Sequence, residues 1–503
     1  MGEQKVMNRK LVVIGAILIQ LCLGAIYAWS VFTPSLTAKS PSDIAAIYSP
    51  ATLGLDAAKA NQMADELKAP RLALKELKNQ IKGESDKAKV DSLKAEAAKV
   101  TGSIDAIVTK YVAKEELDAR AYGLNNTQTQ AIFSAGLAAF AVVMVLAGRR
   151  LPKLGPRKLA MAGGLVLGLG YVLAGLVAGK SFLGFLILVG LVGGSGIGLG
   201  YVVPIATGMK WFPDKKGLIT GLAVAGFGFG ALLWVKLAGD WGRLIATAGL
   251  PGTFMLYGVI FFVACLVGSI WMVNPPEGWK PCGWTPPVPK PGQGPAAGAV
   301  DFTSGEMLAT PQFYMIFLCF AFGAGAGLMT IGLMNAFPAK ALVASGLSAD
   351  EASAIAGTAM AVFFALANGI GRIAWGTLSD KIGRKPSIVV MMASQGIIVI
   401  LFQWMAGTEG LLYAGATLIG FNFGGNFALF PTITADTFGA KYVGQNYGWV
   451  FLSYGVGGIL GPILGGKLGD MGNFPLAFTI CGVLCLLASV IITFVKRPAK
   501  ATV

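Results

Sequence analysis

The chain has 503 residues, of which 55% are hydrophobic, only 13% are charged and 70 are glycine. A soluble protein carries about a quarter charged residues, so the composition excludes one and points to a polytopic membrane protein whose glycines let helices approach closely. The net charge of +15 is divided among short clusters and builds no continuous basic face, which excludes a nucleic-acid partner.

Those clusters mark topology. Lys5, Arg9 and Lys10 come first, then Arg149, Arg150, Lys153, Arg157 and Lys158, then Lys210, Lys215 and Lys216. Lys381, Arg384 and Lys385 follow, and Lys496, Arg497 and Lys500 close the series. They occupy every second connection between apolar runs, as cytoplasmic loops do. Both termini are therefore expected in the cytoplasm, with the chain in the cytoplasmic (inner) membrane. The first run is too long for a signal-peptide core and reads as a retained helix.

Twelve runs are long enough to span a bilayer: 11–33, 127–147, 159–178, 182–207, 218–238 and 252–273, then 312–336, 352–378, 387–406, 410–431, 446–466 and 474–495. The predicted fold is an all-α membrane protein of twelve transmembrane helices in two six-helix bundles. Residues 1–273 form the first bundle and 311–503 the second. A proline- and glycine-rich cytoplasmic linker, 274–310, separates them. The halves repeat in parallel. At a constant offset of 227, Gly193, Pro204 and Thr207 match Gly420, Pro431 and Thr434, and Gly217, Gly221, Gly228 and Gly230 match Gly444, Gly448, Gly455 and Gly457. Parallel repeats of six spans place a substrate site at the midplane between them.

A segment of different chemistry, 37–126, sits between the first two spans. It holds 13 of the chain's 25 acidic residues and 14 basic ones. Ala60, Met63, Leu67, Leu74, Leu77 and Ile81 make one heptad seam; Val90, Leu93, Ala97, Val100, Ile104 and Ile107 make a second. Gly83, Ser85 and Asp86 supply a turn, so the segment reads as a coiled-coil-like helical hairpin outside the cytoplasm. Pro70 lies on the first seam and is expected to kink or interrupt that helix. The hairpin is either a solvated spacer or lid, or a docking module for an extracytoplasmic partner.

Arg372 stands alone in the run from Ala352 to Leu378. An intramembrane charge costs about 2.5–3.5 kcal/mol on insertion scales and ordinarily faces a cavity or a partner. Asn368 and Phe364 precede it at successive helical turns, on the same face. A guanidinium fork beside an amide, walled by apolar residues, suits a small carboxylate. The competing reading is an arginine snorkelling toward Asp380, about 12 Å along the helix. Further wall candidates are Gln20, Tyr27, Tyr201, Asn422 and Asn426, each able to donate a hydrogen bond to a carboxylate. Each is equally suited to an interhelical bond or, for the aromatics, an interface belt. Trp29, Trp234 and Trp449 read as packing.

Five of the six cysteines lie in apolar runs and Cys282 in the linker, with no metal or disulfide spacing. Histidine is absent, which removes the usual proton shuttle. No nucleophile–base pair or phosphate-binding loop suggests an enzyme, and no cofactor is implied. Asp240, Asp436 and Asp470 fall at predicted span ends, so no acid is available as a buried proton relay. Anion exchange needs none, whereas proton symport requires water or the anion itself to carry the proton. A drug or lipid exporter would be expected to embed an acid for cationic cargo. A carrier-like membrane sensor acting through the hairpin is the alternative from a different class.

The loop GTLSDKIGRK, from Gly376 to Lys385, resembles the signature loop of the major facilitator superfamily. Gly376, Asp380, Lys381, Gly383, Arg384 and Lys385 match at every defined position. Its glycines allow close helix approach, and its acid can pair with basic groups or a helix N-terminus. The equivalent loop of the first half, GRRLPKLGPRK, carries Pro152 in place of the acid. Within that superfamily the chain looks like the oxalate/formate antiporter family and its bacterial monocarboxylate-transporter branch. The marks are GAIYAWSVF (Gly24 to Phe32), GLGYVVP (Gly198 to Pro204), WFPDKKG (Trp211 to Gly217), NGIGR (Asn368 to Arg372) and NYGW (Asn446 to Trp449).

That resemblance implies a rocker-switch carrier in which Arg372 binds the substrate carboxylate and Asn368 is a second polar ligand. Oxalate-handling members place a Lys-Gly pair where this chain has Tyr454-Gly455. Two fixed cations suit a dianion; one arginine plus a phenol suits a monoanion. The expected cargo is lactate, pyruvate, formate or acetate, moved with protons or by anion exchange, in preference to oxalate.

Overall fold

A computed structural model of the protein describes residues 7–83, 86–239, 241–285, 298, 300–334, 336–347 and 349–498. Asp240, Ser85 and the middle of the linker, 286–297 and 299, lie outside the described residues. Those described carry helices and no β-strand. Eleven helices among them are long and apolar enough to cross a membrane, one fewer than the sequence predicts.

The first, α1 (Arg9–Leu23), continues as a 3-10 stretch, Gly24–Val31. Helices α2 (Ala57–Gly83) and α3 (Lys87–Tyr111) lie in the inserted segment. The rest of the first half is α4 (Asn126–Leu154), α5 (Pro156–Val177), α6 (Gly194–Trp211), α7 (Lys216–Ala238) and α8 (Leu244–Ser269). The second half contributes α9 (Pro311–Leu333), α10 (Ala365–Ile382), α11 (Arg384–Met405), α12 (Glu409–Phe438), α13 (Val443–Asp470) and α14 (Phe474–Ile491). Helices α6 and α10 are each preceded without a break by a π-helical stretch, Leu186–Gly193 and Ala359–Phe364.

The missing span is α12. At 30 residues it is about 45 Å long, more than the ~30 Å hydrocarbon core requires. Asn422 and Asn426 lower its mean hydropathy. Both are buried, so their amides face protein and not lipid, where the cost of an unpaired polar group is lower.

Within the first half α5 packs on α8 and α4 on α6; within the second, α9 packs on α13, α10 on α12 and α11 on α14. The halves meet along α4 with α13 and α7 with α10. Both seams are tight toward the end of the molecule that carries Asp380. There a Cβ on Gly376 would lie 2.2 Å from the Gly217 carbonyl oxygen and one on Gly148 2.3 Å from that of Gly444. Only glycine permits this backbone approach.

Along α2 and α3 the seam residues Met63, Leu67, Leu77, Ala97 and Ile104 are buried, with Val108 taking the place expected for Ile107. Glu66 accepts from Lys110 Nζ at 2.6 Å and Tyr111 Oη at 2.7 Å. Pro70 does not interrupt α2; packing against α3 holds the helix through the missing hydrogen bond. The feet of the segment meet, Gly123 N donating to Ala38 O (3.1 Å) and Leu124 N to Leu36 O (3.0 Å). Its early part is tied to the start of α8: Ser49 N and Thr52 Oγ1 both donate to Ala246 O, at 2.9 and 2.6 Å.

The linker's described ends are docked. Trp279 packs edge-on against Trp211 at 4.8 Å. At the far end Gly298 N donates to Asp436 O (3.0 Å) and Phe302 N to Phe438 O (2.9 Å), while Asn446 Nδ2 reaches Phe302 O (2.9 Å).

Candidate functional site

Arg372 comes from α10, which is wedged between α7 and α12. A Cβ on Gly221 of α7 would lie 2.3 Å from the Arg372 carbonyl oxygen, so the backbones touch there. The side chain is fully buried. Its Nη1 donates to Val224 O of α7 at 2.7 Å and its Nε to Asn368 Oδ1 at 3.2 Å. The guanidinium lies 4.3 Å from the ring centre of Phe427, a cation–π contact that partly offsets desolvation. Nη2 has no hydrogen-bond partner among the described residues. Among the described residues no carboxylate pairs with it; the groups that share its electrostatic field are Tyr201, Tyr27, Tyr454 and Tyr447. The snorkelling alternative fails here, because Asp380 is engaged elsewhere.

The phenols stand in one aromatic wall. Tyr27 Oη and Tyr454 Oη share a hydrogen bond across the two halves. Tyr454 stacks on Phe451 at 5.1 Å and meets Phe427 edge-on at 5.4 Å. Tyr201 lies 5.3 Å from both Phe227 and Phe451. Gln20 donates to the Tyr201 carbonyl at 3.1 Å. The expected residues Arg372, Asn368, Tyr27, Tyr201, Tyr454 and Gln20 thus come together. Asn422 does not join them. It accepts from Trp375 Nε1 (3.2 Å) and donates to Ser394 Oγ (3.0 Å), an interhelical bond inside the second half. Asn426 Nδ2 donates to the Phe423 carbonyl of its own helix at 3.0 Å.

Sequence reading missed Phe427 and Tyr447. The signal for Tyr447 was present: Tyr447, Phe451 and Tyr454 recur at the spacing of one helix face.

Toward one end of the molecule lies a second constellation. Asp380 accepts from Gly217 N at 2.9 Å and Leu218 N at 2.8 Å, in the first turn of α7, and pairs with Arg384 at 2.7 Å. A carboxylate on a helix N-terminus satisfies orphan N–H groups and meets the positive end of the dipole. Arg384 Nε also pairs with Asp436 (3.0 Å), which pairs with Lys216 (2.8 Å). Gly376 lets α10 reach α7, and Gly383, at φ +97°, turns the chain into α11. Lys216 and Asp436 were legible only as a loop charge and a span-end acid. Lys385 stands in the first turn of α11. In the first half the corresponding position is Pro152, inside α4, and that seam is closed by glycine packing.

The model of the Major Facilitator Superfamily matches residues 106–348 and 323–503. The chain belongs to that superfamily. Among its superfamily relatives is an uncharacterized MFS-type transporter, YhjX, of Escherichia coli, 30% identical over 66% of this chain and 77% of the relative. The oxalate:formate antiporter of Oxalobacter formigenes is 29% identical over 70% of this chain and 79% of its own length. Human monocarboxylate transporter 11 is 27% identical, covering 67% and 68% respectively. Among solved structures the human organic anion transporter MFSD10 aligns with TM-score 0.57 at 11% identity, over 97% of this chain and all of that one. The fucose:proton symporter of E. coli aligns at 0.53 and 16% identity, over 74% and 93%. The chain is a multi-pass membrane protein with the fold of secondary transporters.

Proposed function

We propose that the protein carries small monocarboxylates across the cytoplasmic membrane by alternating access around Arg372. The observation that carries this reading is a fully buried arginine whose Nη2 amino group is free and which has no acidic partner among the described residues. Leaving such a charge unpaired costs several kcal/mol, and a transported carboxylate offsets that cost by accepting a fork of hydrogen bonds. A lone cation among phenols matches one negative charge. The clustered lysines and arginines support cytoplasmic termini and put the Asp380–Arg384–Asp436–Lys216 lock on the cytoplasmic side; the inserted segment then lies outside as a helical hairpin. The lock joins the halves at the Asp380 end, as an outward-facing or occluded carrier requires. Residues 1–273 and 311–503 are then the two rocking units.

Ligand-dependent thermal stabilisation across formate, acetate, lactate, pyruvate and oxalate tests the site. Monocarboxylates stabilise the wild type, and Arg372→Ala loses the response. Unchanged binding in that variant would falsify the assignment. A second reading, dicarboxylate exchange, is favoured by the oxalate:formate antiporter relative; stabilisation by oxalate alone would establish it. Coupling is by proton symport or by exchange, and counterflow into liposomes with and without a pH gradient separates them.

A further inference from the structure

Two polar layers surround Arg372. The first is closed on itself: Tyr27 and Tyr454 bond to each other. The second is not. Tyr447 is fully buried in α13, two turns before Tyr454, and its Oη has no partner among the described residues. Gln20 is fully buried in α1, two turns before Tyr27, and its Oε1 has none either. Both helices begin at the ion-paired end, where Arg9 meets Asp214 at 2.8 Å and Asn446 meets the linker. Gln20 and Tyr447 therefore both lie on the ion-paired side of the Tyr27–Tyr454 bond. Common neighbours join them: Gln20 is bonded to the Tyr201 carbonyl, and the Tyr201 and Tyr447 rings both pack on Phe451, at 5.3 and 5.7 Å.

Buried polar atoms in a folded protein are almost always paired, so the kind of group missing can be read from what is left over. Arg372 Nη2 is a donor, and a carboxylate satisfies it. Gln20 Oε1 is an acceptor, and a carboxylate cannot. Tyr447 Oη gives one hydrogen bond and accepts another. The partner that completes this set carries both a carboxylate and a neutral donor–acceptor group: a hydroxyl. Formate and acetate lack one, and a 2-oxo acid accepts from Tyr447 but offers Gln20 nothing.

We propose that Tyr447 and Gln20 form a second polar subsite beside Arg372, and that the preferred cargo is a short 2-hydroxy monocarboxylate whose hydroxyl donates to Gln20 Oε1 and accepts from Tyr447 Oη. This rests on Arg372 as the carboxylate ligand. It adds the residues that separate hydroxy acids from plain ones.

The test compares glycolate with acetate, which differ by that hydroxyl, by ligand-dependent thermal stabilisation of the full chain and by counterflow in proteoliposomes. Glycolate is expected to act at about one-tenth the concentration of acetate, the effect of one to two additional hydrogen bonds. Tyr447→Phe keeps the ring and should remove most of the preference, weakening the glycolate response far more than the acetate response. Gln20→Met should act likewise, with the unliganded thermal midpoint of each variant reporting its fold. Equal responses to glycolate and acetate in the wild type overturn the proposal, as does a preference that survives both substitutions. Equal weakening of both acids in Tyr447→Phe also overturns it, because that marks a structural role. Arg372→Ala separates the two levels. If it binds both acids unchanged, the carboxylate site itself is wrong. If it binds neither while wild type ignores the hydroxyl, only the second subsite is wrong.

Discussion

At the scale of single residues, Arg372 concentrates the chemistry because burial removes its alternatives. Its donors are divided among a backbone carbonyl, Asn368 and one free position, so it holds its place with or without an anion. Arg372→Lys keeps the charge but loses the fork and the planar contact with Phe427. It should weaken binding at least tenfold, read by ligand titration of thermal stability. Tyr454→Lys makes the complementary change. A second cation beside the first should admit oxalate, seen as new oxalate-dependent stabilisation; failure to gain it would count against charge matching as the basis of selectivity. Most of these residues were legible in the sequence, because a lone charge and recurring aromatics stand out against an apolar background. Asn422 was not separable from them. An amide in a span looks the same whether it faces a substrate path or, as here, a neighbouring tryptophan and serine.

At the scale of elements, the ion-paired cluster on α7, α10 and α12 ties the two halves together at the Asp380 end, and the proposed mechanism requires it to control opening there. Asp380, Arg384, Asp436 and Lys216 are each mostly shielded from water, where removing one member of a charge set costs on the order of 3–5 kcal/mol. Asp380→Asn should shift the population toward opening at that end, measured as faster labelling of a cysteine placed beneath the lock. Gly376→Ala drives a methyl against the Gly217 carbonyl, and overpacking costs about 1–3 kcal/mol. The same probe should react faster there too. Unaltered labelling in both variants would show that the contacts are not limiting. The signature loop identified Asp380 and Arg384 from sequence, but their partners on α7 and α12 are far away along the chain.

At the scale of the whole molecule, the inserted segment is attached as a unit. Its feet meet at Ala38 and Gly123, so excising 40–122 leaves ends that a residue or two can rejoin. Flux should persist after this excision, with stability reduced by the loss of Ser49 and Thr52 from the start of α8. Flux abolished in a protein that still folds would assign the segment a part in transport. Loop closure over so many residues is thermodynamically mild, which is why such an insertion is tolerated between two spans.

The sequence by itself determined the membrane class, the span positions, the repeat and the lone arginine. Hydropathy, glycine spacing and the cost of intramembrane charge are local quantities that a linear chain displays directly. The predicted span 410–431 is a helix, α12, whose two asparagines lower its hydropathy below that of the other eleven. Only the tertiary structure decided which polar groups converge. Tyr27 meets Tyr454, Lys216 meets Asp436, and Tyr447 Oη and Gln20 Oε1 are left without partners among the described residues because helices distant in sequence cross at contacts set by packing. Hydrogen-bond satisfaction is a property of those crossings, not of any one segment.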